Sequence, residues 1–259
     1  MAQQTITRPT AAEVDQPASS PRWQVWLVRA CLAAAGAYAV VSGERGGAVA
    51  ATLGLALSWA PALLARRGGV RAPRMLEVLW VLAVAIPAAS DALGAYDRVT
   101  HWGKLVHGVE GGLAASMAAL LLLGFAQRFE LGLPGQLAAL GSLFVGVLAG
   151  AVWEFVEFLL DWVRYSDLQK SNTDTMTDLL WSNLAAGAAA LLMVRLYHHG
   201  LSETERVALG TFGECLLKPL GRLLDRHGRM ALLVVALVIA ASIAGLWFAG
   251  RPIPGLPVD

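Results

Sequence analysis

Runs of about twenty apolar residues follow one another along most of this chain, and each is long enough to cross a bilayer as a helix. The 259 residues are 56% hydrophobic and 15% charged, with a mean hydropathy of +0.57. A soluble domain carries roughly 25% charged residues. The fold class that follows is all-α: a polytopic transmembrane helix bundle of about seven helices. The expected spans are 23–42, 47–65, 75–95, 101–126, 136–162, 176–197 and 230–249. Pro61 and Pro87 fall within or near the ends of spans, where neighbouring helices can re-satisfy the freed carbonyls.

Lys and Arg in the connections give the orientation. Arg66, Arg67, Arg71 and Arg74 crowd the second connection; Arg206, Lys218, Arg222, Arg226 and Arg229 crowd the sixth. Both are even-numbered, so both face one side, expected to be the cytoplasm, with the N-terminus in. Trp23, Trp26, Trp102, Trp162 and Trp247 stand near span ends, as interfacial anchors do. The expected organisation is a disordered cytoplasmic tail over 1–22 and a six-helix membrane core over 23–197 with an outward-facing polar site. A cytoplasmic amphipathic segment follows over 198–229, then a seventh helix and short outer tail over 230–259. In the amphipathic segment Leu209, Phe212, Leu216, Leu220 and Leu223 recur at helical spacing, which fits a helix on the inner membrane surface or a hairpin packed on the bundle.

Against this apolar background, three expected helices carry ionisable side chains, which are costly in a bilayer and tend to face one another or a wet cavity. With the N-terminus inside, the fourth span starts outside, the fifth ends there and the sixth starts there. Counting about 1.5 Å per residue, Asp97, His101, Asp161 and Asp174 fall near the outer interface. Lys104, Glu157 and Asp178 lie roughly one turn deeper, and His107, Glu110, Glu154 and Asn183 about two turns in. Asp91, near the end of the third span, adds a fourth wall. Glu154, Glu157 and Asp161 form one helical stripe, continued inward by Gly146 and Gly150, where a neighbour can approach closely. Asp178 follows Thr175 by three, as in a capping box.

Carboxylates outnumber cations in this set, so the surplus acids must be protonated or bind a cation. Imidazole and carboxylate together admit a divalent metal without choosing which one. The candidate metal ligands are His101, His107, Glu154, Glu157, Asp174 and Asp178, and the candidate catalytic groups are Glu154, Glu157 and His107. Asp91, Asp97, Lys104, Glu110, Asp161 and Asn183 are supporting candidates. Each has a plainer reading. Asp97 and Asp174 suit simple caps, Lys104 suits a structural pair with Glu157, and Asn183 suits helix packing. Net charge +1 and the lack of a basic stripe interleaved with aromatics give no sign of nucleic acid as a partner. Cys31 lies in an apolar run and Cys215 in the expected cytoplasmic segment, so no disulfide is expected.

The segments Tyr96-Asp97…His101…His107-Gly108, Trp153-Glu154…Glu157 and Asp174-Thr175…Asp178…Asn183…Gly187 resemble those of the YjdF-like proteins, a bacterial inner-membrane family of unknown function. The likeness covers roughly 75–197. It implies a multi-pass protein of the bacterial inner membrane and supports the site without naming its chemistry. The last segment is also similar to the VanZ-like group, one of whose members is linked to glycopeptide resistance. The chain departs from that group where Glu157 stands in a Gln position.

The leading expectation is a metal-assisted hydrolysis or transfer on a lipid-linked or envelope substrate, at an extracytoplasmic acidic/His pocket. A proton- or cation-coupled transporter is the alternative, in which Glu154 and His107 titrate. The apolar stretches Leu120 to Phe125 and Leu137 to Val147 offer such a path no charged step. A third reading is a structural or sensory membrane protein whose polar cluster only fixes helix register.

Overall fold

The computed structural model describes residues 22–164, 169–219 and 228. Among these, every regular element is helical: α1 (Trp23–Ser42), α2 (Arg45–Leu57), α3 (Ala60–Arg67), α4 (Arg74–Ala92), α5 (Ala95–Arg98), α6 (Trp102–Arg128), α7 (Gly135–Arg164) and α8 (Asn172–His199). A further helix covers 203–219. Six helical stretches are long and apolar enough to cross a membrane, α2 and α3 together making one of them. The polytopic helical bundle expected from the apolar runs is therefore what forms. The expected seventh span and nearly all of the N-terminal tail lie outside the described residues.

The bundle is built from two groups of helices. In the first, α1, α2 and α4 pack together through small side chains. Ala35, Ala39, Ala51, Ala85, Ala88 and Ala92 surround Leu32 in its core. In the second, α6, α7 and α8 pack around Ala115, Ala139, Ala186 and Ala190. Contacts between α4 and α6 join the groups. Small residues suit this setting, because lipid is as apolar as Leu and helix association rests on close packing.

The second expected span is not one smooth helix. It breaks at Ser58 and Trp59, just ahead of Pro61, which sits in the first turn of α3 where its missing N–H costs nothing. Carbonyls at such a break need donors. Trp80 Nε1 donates to Leu57 O at 2.9 Å, and the Arg29 guanidinium donates to Ser58 O at 2.8 Å. Arg29 thus ties α1 to the break.

Beyond α8, the 203–219 helix buries Leu209 and Phe212. Leu209 and Gly210 lie against Gly124 of α6, where a Cβ on Gly124 would come within 2.8 Å of Leu209 Cβ. Arg128 fastens the same contact through a 2.9 Å bond from Nε to Glu214. The apolar residues of this segment up to Phe212 therefore meet the end of the bundle.

Candidate functional site

Three helix ends meet to form the polar site: the start of α6, the end of α7 and the start of α8. The sequence folds this way because small residues let the helices approach. A Cβ on Gly111 of α6 would overlap Ser182 Oγ of α8, and one on Gly150 of α7 would lie 2.7 Å from the same oxygen. A Cβ on Gly146 would sit 2.6 Å from Ala186 Cβ. The three helices converge on Ser182, and the charged residues stand in the layer beside it.

At the start of α8 the capping box is displaced from its expected place. The helix begins at Asn172, and Ser171 is the N-cap, its Oγ accepting from Asp174 N at 3.1 Å. Asp174 and not Asp178 is therefore the acidic partner in the first turn. Asp178 lies a turn further in and is left to face the bundle.

His107 is the centre of the group. Its Nδ1 lies 3.6 Å from Glu154 Oε1, and its Nε2 lies 3.7 Å from Glu157 Oε1 and 3.9 Å from Asp178 Oδ2. His107, Glu154 and Asp178 are all buried, and one ligand atom from each falls within 4.8 Å of the others. Lys104 closes one side. Its Nζ donates to Asp174 Oδ1 at 2.7 Å and stands 3.6 Å from Asp178 Oδ1, where the sequence had suggested Glu157 as its partner. Trp153 Nε1 donates to Glu157 Oε1 at 2.8 Å, fixing that carboxylate from the preceding turn. Gln169 reaches over the site: its Nε2 donates to Glu154 O at 3.0 Å and to Glu154 Oε2 at 3.1 Å, while its N–H donates to Asp161 Oδ2 at 2.8 Å.

The structure thus brings together His107, Glu154, Glu157, Asp178, Lys104 and Asp174, and links Asp161 to them through Gln169. His101 does not join them. It is exposed, caps α6 in a left-handed conformation (φ 63°) and lines the rim of a groove on the α6–α8 surface. Asp91 and Asp97 are exposed at the ends of α4 and α5. Glu110 is partly buried on α6, and Asn183 Oδ1 is buried without a hydrogen-bond partner. Tyr96, on the short α5, stands close enough to the acids to feel them. Burial pushes its phenol above the ordinary range, and the Glu110, Asp91 and Glu157 carboxyls push it further the same way.

The donor set can be tested against a divalent metal. Imidazole nitrogen with two or three carboxylates is a set that first-row metals accept. Two ligands bound to one ion at about 2.1 Å stand roughly 3 to 4 Å apart, as Nε2 does from the Glu157 and Asp178 oxygens. Glu154 Oε1 is buried without a hydrogen-bond partner, and Asp178 Oδ1 has only the Lys104 ammonium at 3.6 Å, an expensive state for buried carboxylates that a further cation would relieve. The residues fit. Since the two ring nitrogens face different carboxylates, an ion on Nε2 leaves Nδ1 toward Glu154, which would orient the ring.

Beside the cluster, between α6 and α8, runs an apolar groove of about 920 Å³. Thr100, His101 and Lys104 form its polar end, and Gly108, Gly112, Ala185, Ala189 and Leu192 continue it toward the other side. Lys104 belongs both to this groove and to the cluster.

Two comparisons bear on identity. The family model described as "Predicted membrane protein (DUF2238)" matches residues 24–199, which takes in α1 to α8 and every residue of the cluster. The chain belongs to this family. That bears out the expectation of a multi-pass protein from a membrane family whose activity has no assigned chemistry. An uncharacterized protein of Thermotoga maritima is 30% identical over 104 residues, 40% of this chain and 53% of the relative, so the chain spans about half the length of that curated relative. No solved structure matches the chain.

One residue of the site, Gln169, escaped the sequence reading, and another, Trp153, was named there without its bond to Glu157. Gln169 lies in a connection, where no periodicity marks it. Trp153 precedes Glu157 by one helical turn, a spacing that could have flagged the bond.

Proposed function

We propose that this protein holds a divalent metal on His107, Glu157 and Asp178, with Glu154 steering the imidazole, and that the bound ion assists hydrolysis or transfer on a lipid-linked substrate. The site would lie at the extracytoplasmic end of the bundle, in the inner membrane of a bacterium. The observation that carries the reading is the buried imidazole with carboxylates at 3.6 to 3.9 Å around it, Glu154 Oε1 among them left without a hydrogen bond. A metal of this kind lowers the pKa of bound water and polarises an ester or phosphoryl oxygen. Glu154, the carboxylate outside that ligand set, would take the proton from an attacking water.

The groove supports a lipid substrate. Its apolar length from His101 toward Leu192 suits a hydrocarbon chain, and Lys104 at its polar end suits an anionic headgroup held beside the cluster. The weaker likeness to VanZ-like proteins points toward the same envelope chemistry. The test is turnover of lipid-linked phosphates by purified protein in detergent, with and without chelator and added metal. Turnover that needs both metal and Glu157 supports the proposal; metal binding without turnover on any such substrate removes its catalytic half.

A second reading has one observation in its favour. His107 faces carboxylates through both ring nitrogens, the arrangement of a proton relay. Further along α6, the fully buried Ala119 and Leu120 present no titratable step, which weighs against a transmembrane path.

A further inference from the structure

A carboxylate turns easily about its terminal torsion, which is broad and roughly two-fold, so a proton acceptor needs a neighbour to hold it. Glu154 Oε1 lies 3.6 Å from His107 Nδ1 and has no hydrogen bond of its own. What holds the side chain is Gln169, a half-buried residue just ahead of α8 to which the proposed function gives no task. Its Nε2 donates to Glu154 Oε2 at 3.1 Å and to Glu154 O at 3.0 Å. An amide nitrogen carries two hydrogens, so both are spent on one residue. The amide has one tenable orientation, because turned over it would set its oxygen against two acceptors. Gln169 is itself anchored. Its N–H donates to Asp161 Oδ2 at 2.8 Å, and Asp161 stands about two turns beyond Glu154 on α7. Gln169 thus clasps α7 at two points, one of them the carboxylate of the cluster.

We infer that Gln169 is the positioning residue for Glu154, pinning Oε2 so that Oε1 is held toward the centre of the cluster. The inference rests on the hydrolytic reading above, in which Glu154 is the base. In that step the water oxygen bonds to the phosphorus of a lipid-linked phosphate and the bond from phosphorus to the leaving oxygen breaks. The proton lost by water passes to Glu154 Oε1 and from there to the leaving oxygen. Gln169 acts through Glu154 and needs no contact with water or substrate. Its effect is geometric: an acceptor fixed in advance within a fraction of an ångström transfers a proton far faster than one that must first be ordered. Asp161, in turn, anchors the backbone that carries the amide.

The experiment reads phosphate release from two probes, phosphatidic acid and farnesyl diphosphate, by the metal-loaded full chain in detergent, with metal content measured alongside. Gln169→Leu should lower kcat about 10- to 100-fold while KM and bound metal stay unchanged, because Glu154 lies outside the ligand set. Gln169→Glu keeps the shape and replaces the donor by an acceptor, so kcat should fall at least as far; it carries the test if gel filtration shows that Gln169→Leu does not fold. The double variant Gln169→Leu with Glu154→Gln should be no slower than Glu154→Gln alone, since nothing is left to position. A merely structural role would slow the double variant further and reduce bound metal. Folded Gln169 variants at the wild-type rate, or additive losses in the double variant, overturn this inference and leave the metal reading standing. A wild type that releases no phosphate from either probe overturns the hydrolytic reading and this role with it.

Discussion

Two buried charged sites sit at opposite ends of α4, and they are built on opposite principles. Around Glu77 the charges are matched. One carboxylate meets two guanidinium groups, and Arg29 spends its remaining donors on Ser58 at the helix break. Around His107 the charges are unmatched: Glu154, Glu157 and Asp178 face one imidazole and the edge of one ammonium, at distances too long for hydrogen bonds to the ring. A matched site holds helices in register. An unmatched one costs stability unless something cationic joins it, and a fold that keeps such a cost has a use for it.

The sharpest way to break this contrast is to remove one partner at each end. Arg29→Ala leaves Glu77 buried with only Arg22, and should cost about 3–5 kcal/mol, read as loss of folded protein in a detergent melt. Arg29→Met with Glu77→Met should recover most of that loss, because both charges leave together. A next-largest effect tests the packing that makes the site possible. Gly111→Ala drives a methyl into Ser182 and should cost about 1–3 kcal/mol and loosen the cluster. At the unmatched end the sign reverses. Glu154→Gln removes one of three crowded acids and keeps the shape, so the metal-free melt should be unchanged or raised, within about 1 kcal/mol. A large loss would make the cluster as structural as the Arg29 network.

A smaller effect concerns the helix that covers the base of the second helix group. Burial, outweighing Arg74 and Arg22 nearby, raises the Glu205 carboxyl above its ordinary value. An acid raised in the folded state favours folding at pH below its unfolded pKa, and that contribution is lost as pH rises through the folded value. Glu205→Gln should therefore stabilise slightly at neutral pH, and the gain should vanish on acidification below about pH 4. Melts of the two proteins across that range check it.

The spans were legible because continuous apolar runs mark membrane helices whatever their partners. The grouping of Lys104, His107, Glu154, Glu157 and Asp178 at one end of the bundle was legible because depth follows from counting residues along each helix. What escaped depended on tertiary contact. The break at Ser58 turns on Arg29 and Trp80, which come from other helices. The start of α8 at Asn172 turns on Ser171, a stronger cap than Thr175 because its Oγ reaches Asp174 N. Arg29 and Glu77 were themselves visible as charges inside apolar runs, and the rule that singled out the His107 cluster applies to them equally. His101 lies only a turn and a half from His107, yet caps the helix and points its backbone into the left-handed region, which no spacing argument foresees.

The most direct test of the unmatched site is its metal content. Purified wild-type protein would be reloaded with divalent metals and assayed by elemental mass spectrometry beside Glu157→Gln and Asp178→Asn, with gel filtration confirming that each variant is folded. About one ion per chain in the wild type, lost in both folded variants, is the expected result. A folded wild type that takes up no metal, or variants that keep it, would contradict the account.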